Sequence, residues 1–489
     1  MTDIAAPEIE TPASASLPRE DAQQTRHPRI AAYSGPAGGW GALKSVGQHV
    51  SHSRAPWKSV RSLLKANQDK GFDCPGCAWG DPEHGSSFEF CENGAKAVAW
   101  EVTAKRVTPR FFAQHTVTEL LGWDDFMLED QGRLTEPMRY DAASDRYTPI
   151  SWDAAFELVA EHLSGLSSPD EALFYTSGRA SNEAAYLYQL FVRLFGTNNF
   201  PDCSNMCHEA SGVGMKASLG VGKGTVLLED FEHADAIFVF GQNPGTNHPR
   251  MLGDLRRASR RGARIVSFNP LRERGLERFA DPQSPLEMMT LSSQPISHRY
   301  YQPRMGGDMA AVRGMAKALF AMEARGEFTR AASFIEAHTR GVEAWQALVE
   351  ATEWATLEDQ SGLTRAQLKE AAAIFASADN VICTWAMGIT QHLHAVESVR
   401  EIVNLLLLGG HFGRPGAGAC PVRGHSNVQG DRTMGIDEKA PAWLIDALEA
   451  RYGVSMPRTP GYNTVESLAA LEQGKAKTFI ALGGNFTRA

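Results

Sequence analysis

The chain reads as a multi-domain α/β protein built on parallel sheets. Three features predict this. A strand, glycine loop and helix recur four times; one crossover runs strand, helix, strand without interruption; and 489 residues leave room for two to four domains at ~100–200 residues each. The crossover spans Asp235 to Asn269. Ala236–Phe240 (AIFVF) is a continuous apolar strand, 241–249 a polar loop, Arg250–Arg261 a helix closed by Gly262, and Ala263–Phe268 the next strand. Apolar throughout, such strands belong in a parallel sheet covered on both faces.

The other elements follow the same grammar. Ser151 is the N-cap of a helix with an acidic first turn. Glu171–Gly178 is a buried strand ending in a glycine turn, followed by an amphipathic helix over Asn182–Phe195. Val381–Gly388 with a helix from His394 to Leu408 repeats the theme, as does Lys477–Gly484, which opens a loop shortly before the sequence stops. That stop predicts a missing C-terminal portion. The spacing G-x-G-x-x-G is absent from all of these loops, which argues against an ordinary NAD site. Residues 1–55 are expected to form a disordered or extended tail, because the first thirty carry few large apolar side chains.

Composition narrows the function. A net charge of −9 argues against a nucleic-acid partner, and the pairs Arg256-Arg257 and Arg260-Arg261 read as a solvated helix face. No apolar run approaches the ~18 residues of a membrane span, and no export signal is visible, so a cytoplasmic protein is the expectation. Seven cysteines are too few for a disulfide scaffold and suggest reduced thiols used as ligands or nucleophiles.

Three clusters carry chemistry. Cys74-Pro-Gly-Cys77 followed by Cys91 puts three thiolates within reach of one centre. A redox pair, tetrahedral zinc with His84, and an iron–sulfur cluster with one further ligand all suit that spacing. Cys207-His208 precedes what reads as the first turn of a helix. There Cys207 is expected to be thiolate-like, with His208 able to move protons; a buried free cysteine beside a capping histidine is the alternative. Pro421-Val-Arg-Gly-His-Ser-Asn-Val-Gln-Gly430 packs polar donors between glycines, which suits an anion or an ordinary polar loop.

Taken in order, these clusters together with Phe-Gly-Gln-Asn-Pro at 240–244 and Asn-His-Pro at 247–249 resemble the molybdenum bis(molybdopterin guanine dinucleotide) oxidoreductases similar to formate dehydrogenase alpha subunits, and within them the YdeP-like branch. The resemblance covers roughly residues 60–489. It implies an iron–sulfur unit at 56–110, a first α/β pterin-binding domain from 111–200 and 425–489, a second at 201–424, and a C-terminal barrel domain that is missing. It further implies a 4Fe-4S cluster on Cys74, Cys77 and Cys91, and molybdenum on Cys207. His208 would be the proton acceptor and Arg423 would orient a small anion. Gly241, Asn243, Pro244, His248, Asn269, Gly307, Asp308, Gly388, Gln391, Asn427 and Gln429 would contact the pterin cofactor. The activity implied is two-electron chemistry on formate or a similar small anion, with electrons relayed to a redox partner protein. The departures are specific. The family's third cluster cysteine falls on Asp81, and its lysine between cluster and pterin falls on Asn93, with Lys96 nearby. A non-catalytic electron-relay or assembly subunit is the alternative these departures permit. A zinc-stabilised α/β dehydrogenase is a third, opposed by the missing dinucleotide fingerprint.

Overall fold

Residues 33–83 and 85–488 are described by a computed structural model. Its centre is a five-stranded, all-parallel sheet. Across the sheet the strands run Arg299–Tyr301, Arg264–Phe268, Ala236–Phe240, Val381–Trp385 and Gly418–Pro421. In chain order that is 3-2-1-4-5, the doubly wound arrangement whose crevice opens where the winding reverses. The reversal lies between Ala236–Phe240 and Val381–Trp385, both buried along their whole length. Phe238, Phe240 and Phe268 stack on one face against helices Asp308–Glu323 and Ala395–Leu408, while Ile237, Val239 and Ile265 pack on the other against Met251–Arg261. Covered faces explain why the strand sequences are continuously apolar instead of alternating.

The predicted crossover is present. Gly262 ends the helix in the left-handed conformation (φ 100°) that glycine adopts without steric cost. Arg256 departs from expectation. It is buried, not solvated, and pairs with Glu287 and Asp281, because this helix is clamped against the 281–287 loop.

A second parallel pair joins Ala172–Thr176 to Thr478–Leu482 in register, with Phe174 and Thr176 N–H groups donating to the Asn199 and Pro201 carbonyls on the other side. Helix Asn182–Phe195 and helix Val428–Met434 pack beside it. Ser151 caps its helix as predicted, its Oγ accepting from the Ala154 N–H at 3.1 Å.

The cysteine unit rests on three helices: α1 (Gly39–His52), α2 (Pro56–Leu63) and α3 (Glu92–Glu101). The expected tail through residue 55 is overturned over Gly39–His52; residues 1–32 lie outside the described residues. Ala42, Val46 and Val50, at i+4 spacing, give α1 an apolar stripe, and Val46 and Val50 pack against Leu63, Ala95 and Val98. Among the described residues no helix is long and apolar enough to cross a membrane.

Candidate active site

Parallel register brings Tyr301, Phe268, Phe240, Trp385 and Pro421 into one row. The loops that follow these residues therefore leave the sheet along one edge. There they floor a cleft of about 590 Å³ at the winding reversal. Gly241, Asn243, His248, Asn269 and Gly388 line it, with Val422, Gly424 and His425 from the third predicted cluster. The opposite wall is the cysteine unit, through Gly76, Asn93 and Lys96, and Arg179 joins from the loop after Ala172–Thr176. Lys96 lies 4.3 Å from the Trp100 ring centroid. Glycine is required at the floor. A Cβ on Gly241 would lie 2.8 Å from Gly388 backbone, and one on Gly388 would lie 2.6 Å from Gly241.

Cys207 stands behind this floor. Its sulfur would lie 3.4 Å from a Cβ on Gly424, and the nearby Gly424 and His425 N–H groups and the Arg423 charge favour its thiolate. Contrary to expectation, Cys207 does not start a helix. It is the last residue of a short helix, Cys203–Cys207, and the next begins at Glu209. Burial pushes its thiol up despite those donors, so no helix dipole makes it thiolate-like. Its carbonyl is held by Thr390 Oγ1 at 2.7 Å and by Gln391 Nε2 at 3.2 Å.

His208 is fully buried and neutral. Burial, then the Arg423 charge, push its pKa down to about 3. Its Nδ1 meets Ser211 Oγ at 2.9 Å. Arg423 is buried, donates from Nη2 to the Gly222 carbonyl at 2.9 Å, and has its own carbonyl held by His248 Nε2 at 2.7 Å. Cys203, at the other end of that short helix from Cys207, meets His425 Nδ1 at 2.9 Å.

The remaining predicted contacts lie outside the cleft lining. Pro244 is buried at the start of the short helix Pro244–Asn247. Asn427 ties its loop to the Ala180 carbonyl and to Asn182. Gln429 is half-buried in helix Val428–Met434. Gly307 and Asp308 open helix Asp308–Glu323, where Asp308 is buried with one oxygen unpartnered.

Around the cysteines, Cys91 caps α3, its sulfur accepting from the Gly94 N–H at 3.4 Å. A Cβ on Gly94 would lie 3.0 Å from the Cys74 sulfur and 3.8 Å from the Cys91 sulfur. Cys74 feels Cys77, Cys91 feels both other thiols, and burial pushes all three up, Cys91 to about 12. Among the described residues no three His, Cys, Asp or Glu side chains converge on a single ion; His84 lies outside those residues. Asn67 is a clamp that sequence reading missed. Its Oδ1 accepts from the Cys74 N–H and its Nδ2 donates to the Glu89 carbonyl, both at 2.7 Å.

These residues fit a phosphate-bearing pterin group and a soft metal. The floor is bare glycine backbone, two cations stand on the walls, and His248 Nδ1, His208 Nε2 and Arg423 Nε are buried without partners. A sulfur beside backbone N–H groups and a guanidinium that favour its ionised form can carry the negative charge of a ligated thiolate. The molybdopterin oxidoreductase family model matches residues 133–488, and the chain belongs to that family. It is 51% identical over 466 residues to protein YdeP of Escherichia coli strain K12, covering 94% of this chain and 61% of YdeP. It is 50% identical over 435 residues to the uncharacterized oxidoreductase Mb2924c of Mycobacterium bovis, covering 88% and 56%. Formate dehydrogenase H of E. coli strain K12 is 30% identical over 364 residues, covering 69% and 48%. The chain thus spans between about half and three fifths of the length of these relatives.

Proposed function

We propose that this chain holds a molybdenum bis(molybdopterin guanine dinucleotide) cofactor and performs formate-dehydrogenase-type chemistry on formate or another small anion. The observation that supports this best is the placement of Cys207 directly behind the glycine floor of the switch-point cleft, with the Arg423 guanidinium beside it. Glycine backbone at 241 and 388, with Lys96 and Arg179, would receive the cofactor's phosphates, and Cys207 would ligate molybdenum. When bound, that group supplies the two-electron redox couple. The chain's own residues do the rest. Arg423 offers a fixed cation to an oxyanion. His208 is the imidazole beside that cation, and it would take the proton only once a bound anion offsets the Arg423 charge, which together with burial holds its pKa down. The cysteine unit forms the opposite wall of the same cleft, and an iron–sulfur cluster held there by Cys74, Cys77 and Cys91 would pass single electrons to a redox partner protein.

Metal analysis of the purified full-length protein tests this. Molybdenum and iron together are expected; iron alone would leave a relay subunit, and zinc alone would end the reading. Cys207→Ser is expected to abolish turnover while near-ultraviolet circular dichroism stays unchanged, and retained turnover would remove Cys207 from the site.

A further inference from the structure

A cavity of about 810 Å³ lies between α1 and the Asp125–Asp130 helix, and Trp100 is the one lining residue it shares with the cleft. That volume suits a small ligand. Its charges do not balance. Lys44, His49, His52, Arg54 and Lys105 line it against a single carboxylate, Asp130. That carboxylate is already shared. Its Oδ1 accepts from Lys105 Nζ and meets His52 Nε2, and Lys105 Nζ itself lies 2.8 Å from His52 Nε2. Lys105 has only 10% of its side chain exposed. Lys44 and Arg54 make no ion pair among the described residues. The surrounding sequence supplies no counter-charge either. Residues 36–68 hold Lys44, Arg54, Lys58, Arg61 and Lys65 and no Asp or Glu, in a chain of net charge −9.

Arg54 carries an independent sign. Its φ is 55°, the left-handed conformation in which a Cβ crowds the backbone and which glycine adopts freely. An arginine held there sets a cation at the cavity at a cost in backbone strain, as ligand clamps do. Two aromatic rings, Trp100 and the exposed Phe126, complete the wall.

We propose that this cavity binds a phosphate-bearing small molecule, its phosphate oxygens on Arg54, Lys44 and Lys105 and any flat ring against Trp100 and Phe126. The Arg54 guanidinium matches two phosphate oxygens at once, while the two lysines act as point charges. Binding makes and breaks no covalent bond. The site stands apart from the glycine floor and from every cysteine, so it holds or falls independently of the molybdenum reading.

The test is isothermal titration of the full chain with inorganic pyrophosphate and with ADP, at low ionic strength, where exposed charges are least screened. Both probes are expected to bind at a single class of site. Lys44→Glu and Arg54→Gly should each weaken binding about tenfold or more. Arg54→Gly also relieves the positive φ, so its urea midpoint should equal or exceed that of the wild type. Lost binding with undiminished stability is a result that misfolding cannot imitate. Tighter binding of ADP, with a fluorescence change that Trp100→Phe removes, would identify a nucleotide as the occupant; equal binding of the two probes would identify free phosphate. The proposal is overturned if neither probe binds, or if Lys44→Glu and Arg54→Gly bind as the wild type does. It is also overturned if Gly388→Ala, in the cleft floor, is the variant that loses binding. Binding confined to the cofactor-free chain and absent from the molybdenum-loaded chain would assign the cavity to the cofactor and end the proposal.

Discussion

Gly388 donates its backbone N–H to the Gly241 carbonyl at 3.0 Å, joining the loops of adjacent parallel strands where the sheet's winding reverses. Neither position has room for a methyl group. Gly388→Ala is expected to force the loops apart at a cost of about 1–3 kcal/mol. Gly241→Ala adds the strain of a positive φ (53°) to the same clash. Urea denaturation should show lower midpoints, and molybdenum content should fall further than stability does, since the cleft floor itself is raised. Wild-type stability and metal content in both variants would show the contact to be slack.

Arg432 is the hub between the two sheets. It reaches Asp202 at 2.9 Å, Glu438 at 3.0 Å, and Asp437 and Glu209 at 3.3 Å. Asp202 also caps the Cys203–Cys207 helix. Arg432→Met would strand two nearly inaccessible carboxylates, Asp202 and Glu438, without a counter-charge. Breaking one side of a buried ion cluster costs about 3–5 kcal/mol. Equilibrium urea unfolding should report a loss of that size, and Asp202→Asn in the same background should recover part of it. A loss under about 1 kcal/mol would place Arg432 among ordinary surface pairs.

What was legible in the sequence was local. The strands at Ala236 and Val381, the cap at Ser151 and the stop at Gly262 declare themselves through apolar runs and cap chemistry. The site loops were legible too, because glycines and polar residues cluster at strand ends. Pairing order, the Arg432 hub, the Asn67 clamp and the buried Arg256 were not, since each depends on contacts between residues distant in sequence. Helix α1 was missed because its stripe of Ala42, Val46 and Val50 is diluted by three glycines. The direction of the helix at Cys207 could have been read. Asp202 followed by Asn205 is a capping box that starts a helix at Cys203.

His248 holds the 421–425 segment in place through the Arg423 carbonyl. His248→Phe removes the donor and leaves that buried carbonyl unsatisfied, at about 1–3 kcal/mol. His248→Gln, which keeps a donor, should recover a good part of the loss in urea unfolding. Equal losses in the two variants would show that ring packing, not the hydrogen bond, is what His248 contributes.

Asp308 gives the fold a pH dependence of known sign. Burial at the start of its helix pushes its pKa up from 3.8 to about 7. Between those values the folded chain keeps a proton that the unfolded chain releases. The stability tied to Asp308 is therefore fully present below about pH 4 and lost as pH rises through about 7. At ~1.4 kcal/mol per pKa unit the loss is at most about 4 kcal/mol. Asp308→Asn cannot ionise, so the variant should gain on the wild type from about pH 4 to about pH 7 and then hold a constant advantage. Urea midpoints of both proteins across that range, in the cofactor-free chain, measure the difference. Parallel curves would mean that Asp308 reaches solvent or a counter-charge when it ionises.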